Sequence, residues 1–270
     1  MKVTIVVDNI EHAGIPGEWG FCAYIEQNGK KLLLDTGASN LFADNAEKLN
    51  IDLKDVDFAV LSHAHYDHAN GMEKFFEINE KAPFYLQEGC GENCYFKKGF
   101  VRKYIGIPKG ITKRYQDRIK YVSGICPIAE GIYLVSHSTP HLEQIGKKEM
   151  MYQKTKLGWK PDNFCHEQSL VLDTDSGLVI FNSCSHGGVV NIINEVKAAF
   201  PNKKITALIG GFHIFNHPEE EIRELAKLIK ETGIERIYTG HCSKERGYRI
   251  LREELGDMAG QFYVGMELEF

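Results

Sequence analysis

The chain has 270 residues, of which 43% are hydrophobic and 26% charged, and these proportions are typical of a globular protein with a sizeable core. Its net charge of −5 argues against general nucleic-acid binding, and no apolar run approaches the roughly 20 residues that span a bilayer. We therefore expect a cytoplasmic protein that binds neither nucleic acid nor membrane.

The sequence contains no segment that resembles a linker. Its eight prolines are scattered, and no Gly/Ser tract interrupts it. We expect one domain over residues 1–270. The seven cysteines are odd in number and irregularly spaced, and the N-terminus lacks the pattern of a signal peptide, so free thiols are expected.

The first quarter of the chain predicts strands followed by a helix and a further strand. An irregular Gly- and Pro-containing loop over 10–20 could reach over a site, and Asp35 follows the third strand, where a carboxylate can orient a neighbouring group. The predicted elements are strand 2–7, strand 21–25, strand 31–34, helix 40–50 and strand 57–62.

The stretch 63–71 carries three histidines and an aspartate in the pattern His-x-His-x-Asp-His. In an extended loop, residues two apart point the same way, so His63 and His65 can bind one ion while Asp67 and His68 face a second. A purely structural role would suit a single histidine, but the whole pattern after an apolar strand predicts a metal site.

Two later segments depart from the alternation of strands and helices. Residues 97–120 contain nine lysines and arginines against one acid, Asp117, which predicts either a lid that favours an anionic substrate or a solvated, partner-binding face. We predict lid-like insertions at about 88–120 and 144–165, and we expect the second to be irregular.

The second half of the chain predicts strands 131–135, 169–174 and 178–182, a helix from 189, strand 205–209, a helix from Pro218, strand 236–238 and a closing strand over 262–265. Gly187 and Gly188 lie at a strand-to-helix junction, whose backbone N–H groups attract anions. His186 lies beside this junction and could be a metal ligand or a polar residue in a capping turn.

Three further side chains follow predicted strands, and their roles stay open. Cys184 could be a soft metal ligand, but a buried thiol is favoured because cysteine is among the most buried residue types. His141 could be an extra ligand or a substrate contact. His213 is expected to be a pocket residue.

Together, these motifs resemble the metallo-β-lactamase superfamily. Besides the 63–71 stretch, the resemblance rests on Asp35-Thr36-Gly37, Ser183-Cys184-Ser185-His186-Gly187-Gly188, Gly210-Gly211-Phe212-His213 and Thr239-Gly240-His241-Cys242. The branch it most resembles is related to the 7,8-dihydropterin-6-methyl-4-(β-D-ribofuranosyl)-aminobenzene-5'-phosphate synthases. Residues 136–141 do not match the motif of that branch.

The resemblance implies an α/β four-layer sandwich of two mixed sheets flanked by helices, with a binuclear site. It implies that one ion is bound by His63, His65 and His186 and the other by Asp67, His68 and His241. The expected ions are two divalent metals, with zinc favoured and manganese or iron also compatible.

The implied function is a metal-dependent hydrolase that attacks a small anionic ester, phosphoester or lactone with a metal-bound hydroxide, which Asp67 could orient. One alternative is the branch's synthase chemistry on pterin and phosphoribosyl-type partners. Another is a non-catalytic metal-binding or redox-sensing protein that uses Cys90, Cys94, Cys184 and Cys242. A small-molecule substrate is the expected partner, and a homodimer is possible.

Overall fold

The structure, a computed structural model, describes residues 1–270. Its strands, in chain order, are β1 (Lys2–Val7), β2 (Cys22–Gln27), β3 (Lys30–Leu34), β4 (Phe58–Val60), β5 (Phe84–Gln87), β6 (Cys94–Lys98), β7 (Val101–Tyr104), β8 (Ile119–Val122), β9 (Ile125–Ala129), β10 (Ile132–Ser136), β11 (Met151–Thr155), β12 (Gly158–Pro161), β13 (Gln168–Thr174), β14 (Gly177–Phe181), β15 (Ile205–Ile209), β16 (Arg236–Thr239), β17 (Ala259–Gln261) and β18 (Glu267–Glu269).

The helices are α1 (Leu41–Lys48), α2 (Tyr66–Ala69), α3 (Met72–Ile78), α4 (Ile111–Arg114), α5 (Leu142–Lys148), α6 (Val189–Ala199), α7 (Glu219–Glu231) and α8 (Lys244–Leu255). Short 3-10 helices occupy Leu53–Asp55, His241–Ser243 and Gly256–Met258. None of the helices has the length and apolar character that crossing a membrane requires.

Two seven-stranded mixed sheets form the centre of the fold. The first has the order β18-β1-β2-β3-β4-β5-β8, and the second has the order β17-β16-β15-β14-β13-β10-β9. In each sheet antiparallel pairs on one side give way to parallel pairs on the other, beginning with β3 and β4 in the first and with β14 and β15 in the second. A separate four-stranded sheet has the order β12-β11-β6-β7.

The apolar side chains form three layers of core, as the two-residue period of a buried strand requires. Leu32 and Leu34 of β3 point into the core between the sheets, where Phe181 of the second sheet also lies. Leu33 points the other way, against α1 and α3. A third core packs the second sheet against α6, α7 and α8. The predicted four-layer α/β sandwich is therefore confirmed.

Two predictions of local structure were wrong. Residues 262–265 are not a strand, because this stretch carries the chain from β17 in the second sheet to β18 in the first, with a turn at Gly265 (φ +82°). The segment 144–165 is not irregular, because it contains most of α5 and the whole of β11 and β12. Strand β11 pairs with β6, so the two predicted insertions contribute strands to the same small sheet.

The topology gathers the predicted site residues at one edge. Strands β3 and β4 of the first sheet run parallel, as do β14, β15 and β16 of the second. Because parallel strands end on the same side, the residues that follow them meet there. Asp35, His63, the 183–186 stretch, His213 and His241 all follow these strand ends.

Candidate metal centre

The 63–68 stretch follows β4 and runs into the short helix α2, which contains Asp67 and His68. Its three imidazoles are buried to at least 96%. The ring of His63 lies 4.7 Å from that of His65 and 4.1 Å from that of His68, measured between centroids. Such close packing of basic rings is unfavourable unless they are neutral and share a ligand.

The carboxylate of Asp35 organises this loop from behind. It accepts hydrogen bonds from the Ser62 backbone N–H (2.7 Å) and hydroxyl (2.7 Å), from the Ser183 hydroxyl (2.6 Å) and from His68 Nδ1 (2.8 Å). Because the Ser62 hydroxyl gives its proton to Asp35, its oxygen accepts from His63 Nδ1 at 2.8 Å. Both imidazoles therefore carry their lone pair on Nε2, as metal ligation requires.

The structure brings the predicted first set together. Ring nitrogens of His63, His65 and His186 lie within 4.8 Å of one another. His186 comes from the loop after β14 and stacks on Phe164 with the ring planes 3° apart. Phe164 therefore fixes the orientation of the His186 imidazole, and its ring also lies edge-on to that of His65, 6.4 Å away.

The predicted second set, which consists of Asp67, His68 and His241, lies next to the first. Oδ2 of Asp67 lies 3.8 Å from Nε2 of His68 and 3.5 Å from Nε2 of His241. Asp8 accepts the backbone N–H of His241 at 2.7 Å, and Asn9 Oδ1 lies 3.3 Å from its Nδ1, an arrangement that leaves Nε2 free to face the site.

The buried nitrogens fit metal ions. Among the predicted ligands, five buried ring nitrogens have no hydrogen-bond partner: His63 Nε2, His65 Nε2, His186 Nδ1, His186 Nε2 and His241 Nε2. A buried polar atom without a partner costs about 1–3 kcal/mol, and ions bound by one nitrogen of each ring would remove this cost at four of the five atoms. Burial lowers the pKa of each of these four imidazoles, in the case of His241 to about 3, which keeps them in the neutral form that ligates metals.

Backbone strain is concentrated at the same edge. Asp35, Ser185, His213 and His241 have positive φ angles of 59°, 56°, 51° and 46°, although none is glycine. Non-glycine residues in this region cost of order 1–3 kcal/mol each and are typical of functional sites. These four positions lie on the loops that follow β3, β14, β15 and β16, at the edge where the candidate site lies.

The expected anion pocket at Gly187 and Gly188 is filled by the protein itself. The carboxylate of Glu167, just before β13, accepts the backbone N–H groups of His186 at 2.8 Å and Gly187 at 2.7 Å. The N–H groups of this junction do bind an anion, as predicted, but the anion is a carboxylate of the chain itself. Glu167 positions His186 instead, and the sequence offered no signal for it, because it belongs to a distant segment.

A neighbouring cluster of four buried side chains, His65, Cys94, Asp162 and His166, has the composition of a metal site. However, the Ala64 backbone N–H donates to Nδ1 of His166 at 3.1 Å, so the proton of this neutral imidazole is on Nε2. That nitrogen donates to Asp162 Oδ2 at 3.2 Å and offers no lone pair. The Asp162–His166 pair thus holds the metal loop in place, and sequence reasoning missed it.

The two histidines whose roles were open lie in different environments. The side chain of His141 at the start of α5 is 73% exposed and lies 3.6 Å from Glu143, so it is not part of the centre. His213 is part of it: its ring lies 4.5 Å from that of His186, and both of its ring nitrogens lack hydrogen-bond partners. The expectation that His213 lines the pocket agrees with its position.

A cavity of about 380 Å³ opens above these groups. His65, Asp67, Cys184, His186 and Cys242 form its floor. Its walls are largely apolar and come from the loop before β2, from the loop after β15 and from the small sheet, with Trp19, Phe96, Met151 and Phe215 among them. Of the nine cations in 97–120, Lys103 alone lines this cavity.

Two comparisons with known sequences agree with the family resemblance of the motifs. The sequence model of the metallo-beta-lactamase superfamily matches residues 19–148. The 7,8-dihydropterin-6-methyl-4-(beta-D-ribofuranosyl)-aminobenzene-5'-phosphate synthase of Methanocaldococcus jannaschii is 27% identical over 265 residues, covering 93% of this chain and 88% of that protein.

Solved structures agree. The crystal structure of Tm1679, a metal-dependent hydrolase of the beta-lactamase superfamily, is 27% identical with a TM-score of 0.85, covering 100% of this chain and 99% of its own. Zn(2+)-bound PqqB from Methylobacterium extorquens shares the fold, with a TM-score of 0.58 at 12% identity over the whole of both chains.

Proposed function

Because the chain belongs to the metallo-β-lactamase superfamily, we propose that it is a metal-dependent hydrolase that acts on a small anionic ester, phosphoester or lactone. The observation that carries the proposal is the convergence of buried imidazole nitrogens without hydrogen-bond partners at the floor of a cavity. A structural role would leave these nitrogens unsatisfied, whereas metal ions would satisfy one nitrogen of each ring.

Two sets of side chains would hold two divalent ions. His63, His65 and His186 form the first set, and Asp67, His68 and His241 form the second. Ions bound there supply a Lewis acid that polarises a substrate oxygen and lowers the pKa of water towards neutrality. The nitrogen-rich donors suit zinc, and manganese or iron would also be compatible with the predicted sets.

Asp67 has a second role in the proposed reaction. Its carboxylate lies on the floor of the cavity, beside His68 and His241, and is 7% exposed. From there it can accept a hydrogen bond from the attacking water and hold it towards the substrate. Asp35 and Glu167 do not face the cavity, and their contribution is to keep the imidazoles in the correct tautomer and orientation.

The walls of the cavity indicate the substrate class. Trp19, Phe96 and Phe215 offer apolar contact to a flat or aliphatic body. Lys103 lines the same space, and the Lys244 ammonium lies 5.3 Å from the Trp19 ring centroid and 5.2 Å from that of Phe215. One or two cations beside apolar walls favour a substrate with an apolar part and an anionic group.

The similarity to the archaeal synthase supports a second candidate. At 27% identity over 93% of this chain, synthase chemistry on a pterin and a phosphoribosyl-type partner is an alternative for the same cavity. Incubation with hydrolase substrates and, separately, with pterin and phosphoribosyl compounds would distinguish them by product. The small-molecule partner, a homodimer and the cytoplasmic location stay predictions from the sequence.

The first test compares metal content and hydrolysis in the wild type and in His68→Ala, with His141→Ala as the control for an exposed histidine. We expect about two ions per chain in the wild type and in the control, and about one in His68→Ala. Hydrolysis of a panel of phosphoesters, lactones and thioesters should fall by at least 10²-fold in His68→Ala. Fewer than one ion per wild-type chain would contradict the proposal, and bound metal without turnover would favour the non-catalytic alternative.

A further inference from the structure

Two thiols lie side by side at the floor of the cavity. Cys184 follows β14 and Cys242 follows β16, and their sulfur atoms, together with a ring nitrogen of His241, lie within 4.8 Å of one another. Sγ of Cys184 is also 3.3 Å from Nε2 of His68. Both cysteines line the cavity and are buried to 97% or more.

These thiols differ from the other buried cysteines of the chain. Cys22, Cys90 and Cys94 belong to the apolar core between the first sheet and its helices, which accounts for their burial by packing. Cys184 and Cys242 belong to none of the three apolar cores. Their sulfur atoms instead face imidazoles, so packing does not explain why cysteine stands at these positions.

The sulfur of Cys242 accepts a hydrogen bond from the backbone. The N–H of His213 donates to Sγ at 3.2 Å, from a residue whose φ angle of 51° is strained. This contact holds the sulfur of Cys242 at the floor of the cavity, beside Cys184 and His241. Thiolates are the form in which cysteine binds metal ions.

We propose that Cys184 and Cys242 bind the second ion as thiolates, beside His68 and His241, and that they make this position selective for a thiophilic ion such as Zn²⁺ over Mn²⁺. The proposal rests on the proposed metal-dependent function and deepens it. On binding, each S–H bond gives its proton to solvent and a sulfur–metal bond forms, so no oxidant or reductant is needed. Asp67 then has its carboxylate available to orient water.

The geometry accounts for the selectivity. Ligands of the predicted second set, one carboxylate and two imidazoles, suit zinc, iron and manganese alike. Replacing the carboxylate by two thiolates gives a set of two imidazoles and two thiolates, which hard ions such as Mn²⁺ accept poorly and Zn²⁺ accepts well. The sulfur atoms, and not the histidines, would therefore decide which metal the centre retains.

X-ray absorption of the wild-type protein tests this directly. With two zinc ions per chain, we expect on average about one sulfur ligand per zinc at a distance of about 2.3 Å, in addition to nitrogen and oxygen ligands. Two bound ions with no sulfur in the coordination shell would overturn the thiolate proposal and leave the hydrolase proposal intact. A chain that binds no metal would remove the basis of both.

Cobalt substitution provides the matched comparison of variants. We expect the near-ultraviolet thiolate-to-cobalt absorption of wild type to fall by roughly half in Cys184→Ser and in Cys242→Ser, and to be unchanged in Cys22→Ala, a fully buried thiol outside the centre. Affinity for the second zinc should fall more than the roughly 10–100-fold typical of outer-sphere changes, and discrimination against Mn²⁺ should weaken. Unchanged absorption in both serine variants would overturn the proposal.

Discussion

The carboxylate of Asp35 accepts four hydrogen bonds. One donor is the imidazole of His68, and another is the Ser62 hydroxyl, which in turn contacts the imidazole of His63. The negative charge of Asp35 holds the proton of His68 on Nδ1, and through the Ser62 hydroxyl it does the same for His63. Asp35 does not line the cavity. It acts on metal binding only through the tautomers that it selects.

We expect Asp35→Asn to weaken metal binding by roughly 10–100-fold, because an amide cannot accept from all four donors and its NH₂ group opposes at least one of them. Competition with a chromogenic chelator would measure the affinity. Asp55→Asn is a suitable control, since that carboxylate pairs with Lys31 at the surface. Equal affinities in the Asp35 variant and the wild type would show that the tautomers are fixed by other groups.

Helix α6 holds the segment that follows β10 in place through hydrogen bonds to one of its side chains. Glu195 accepts hydrogen bonds from His137 Nδ1 at 2.8 Å, from the backbone N–H of Ser138 at 2.9 Å and from the Thr139 hydroxyl at 2.8 Å. Burial opposes ionisation, but these hydrogen bonds outweigh it and lower the pKa of Glu195 to about 2. The ionised carboxylate therefore stabilises the folded state.

Because the folded pKa lies below the ordinary value of 4.5, this stabilisation is fully present above about pH 4.5 and is lost as the pH falls towards about 2. We expect Glu195→Gln to lower the free energy of unfolding by about 1–3 kcal/mol at pH 7, and less at pH 3. Urea unfolding at both pH values would measure this, with Glu231→Gln on the exposed side of α7 as the control. A loss that does not depend on pH would contradict the charged contact.

The small sheet contributes Phe96, Lys103 and Met151 to the cavity, so it should affect substrate binding more than chemistry. We expect Lys103→Ala to raise KM for an anionic substrate by roughly 10–100-fold, since a hydrogen bond to a charged group contributes about 1.5–3 kcal/mol. Steady-state kinetics with a charged and an uncharged substrate of similar shape would measure this. Lys98→Ala, an exposed position on the same sheet, should leave KM unchanged.

Over the whole molecule, bound metal should raise stability. An ion present at 100 times its Kd adds about 2.7 kcal/mol to the free energy of unfolding, and for chains of 150–250 residues each kcal/mol shifts Tm by about 2–4 °C. For two ions, we expect a chelator to lower Tm by roughly 10–20 °C and zinc to restore it. Calorimetry of His68→Ala should show about half the shift, and a Tm that does not respond to the chelator would contradict the two-ion centre.

The parts of this fold that sequence reasoning predicted are those that local patterns determine. His63, His65, Asp67 and His68 belong to one short loop, and the strands before it are continuous apolar runs. Asp35 was predicted to be a supporting residue because Asp35-Thr36-Gly37 is one of the motifs that carry the family resemblance. Periodicity therefore located the layers of the sandwich and the edge at which the site lies.

The missed features are contacts between segments that are far apart in sequence. His166 accepts a hydrogen bond from Ala64, 102 residues earlier, and Glu167 fills the N–H pocket of a loop 19 and 20 residues later. No local pattern marks such partners. The closing strand was misplaced for a related reason, because 262–265 has the apolar composition of a strand but connects two sheets.

That crossing has a consequence for the order in which the molecule can be assembled during synthesis. Strand β1 acquires its partner β18 only after residues 267–269 have been made, although its other partner, β2, is the next strand in the sequence. The metal loop likewise emerges from the ribosome long before His186 and His241. We therefore expect that neither the β1–β18 pairing nor the metal centre is complete in the nascent chain. Metal binding should then be a late step that follows translation.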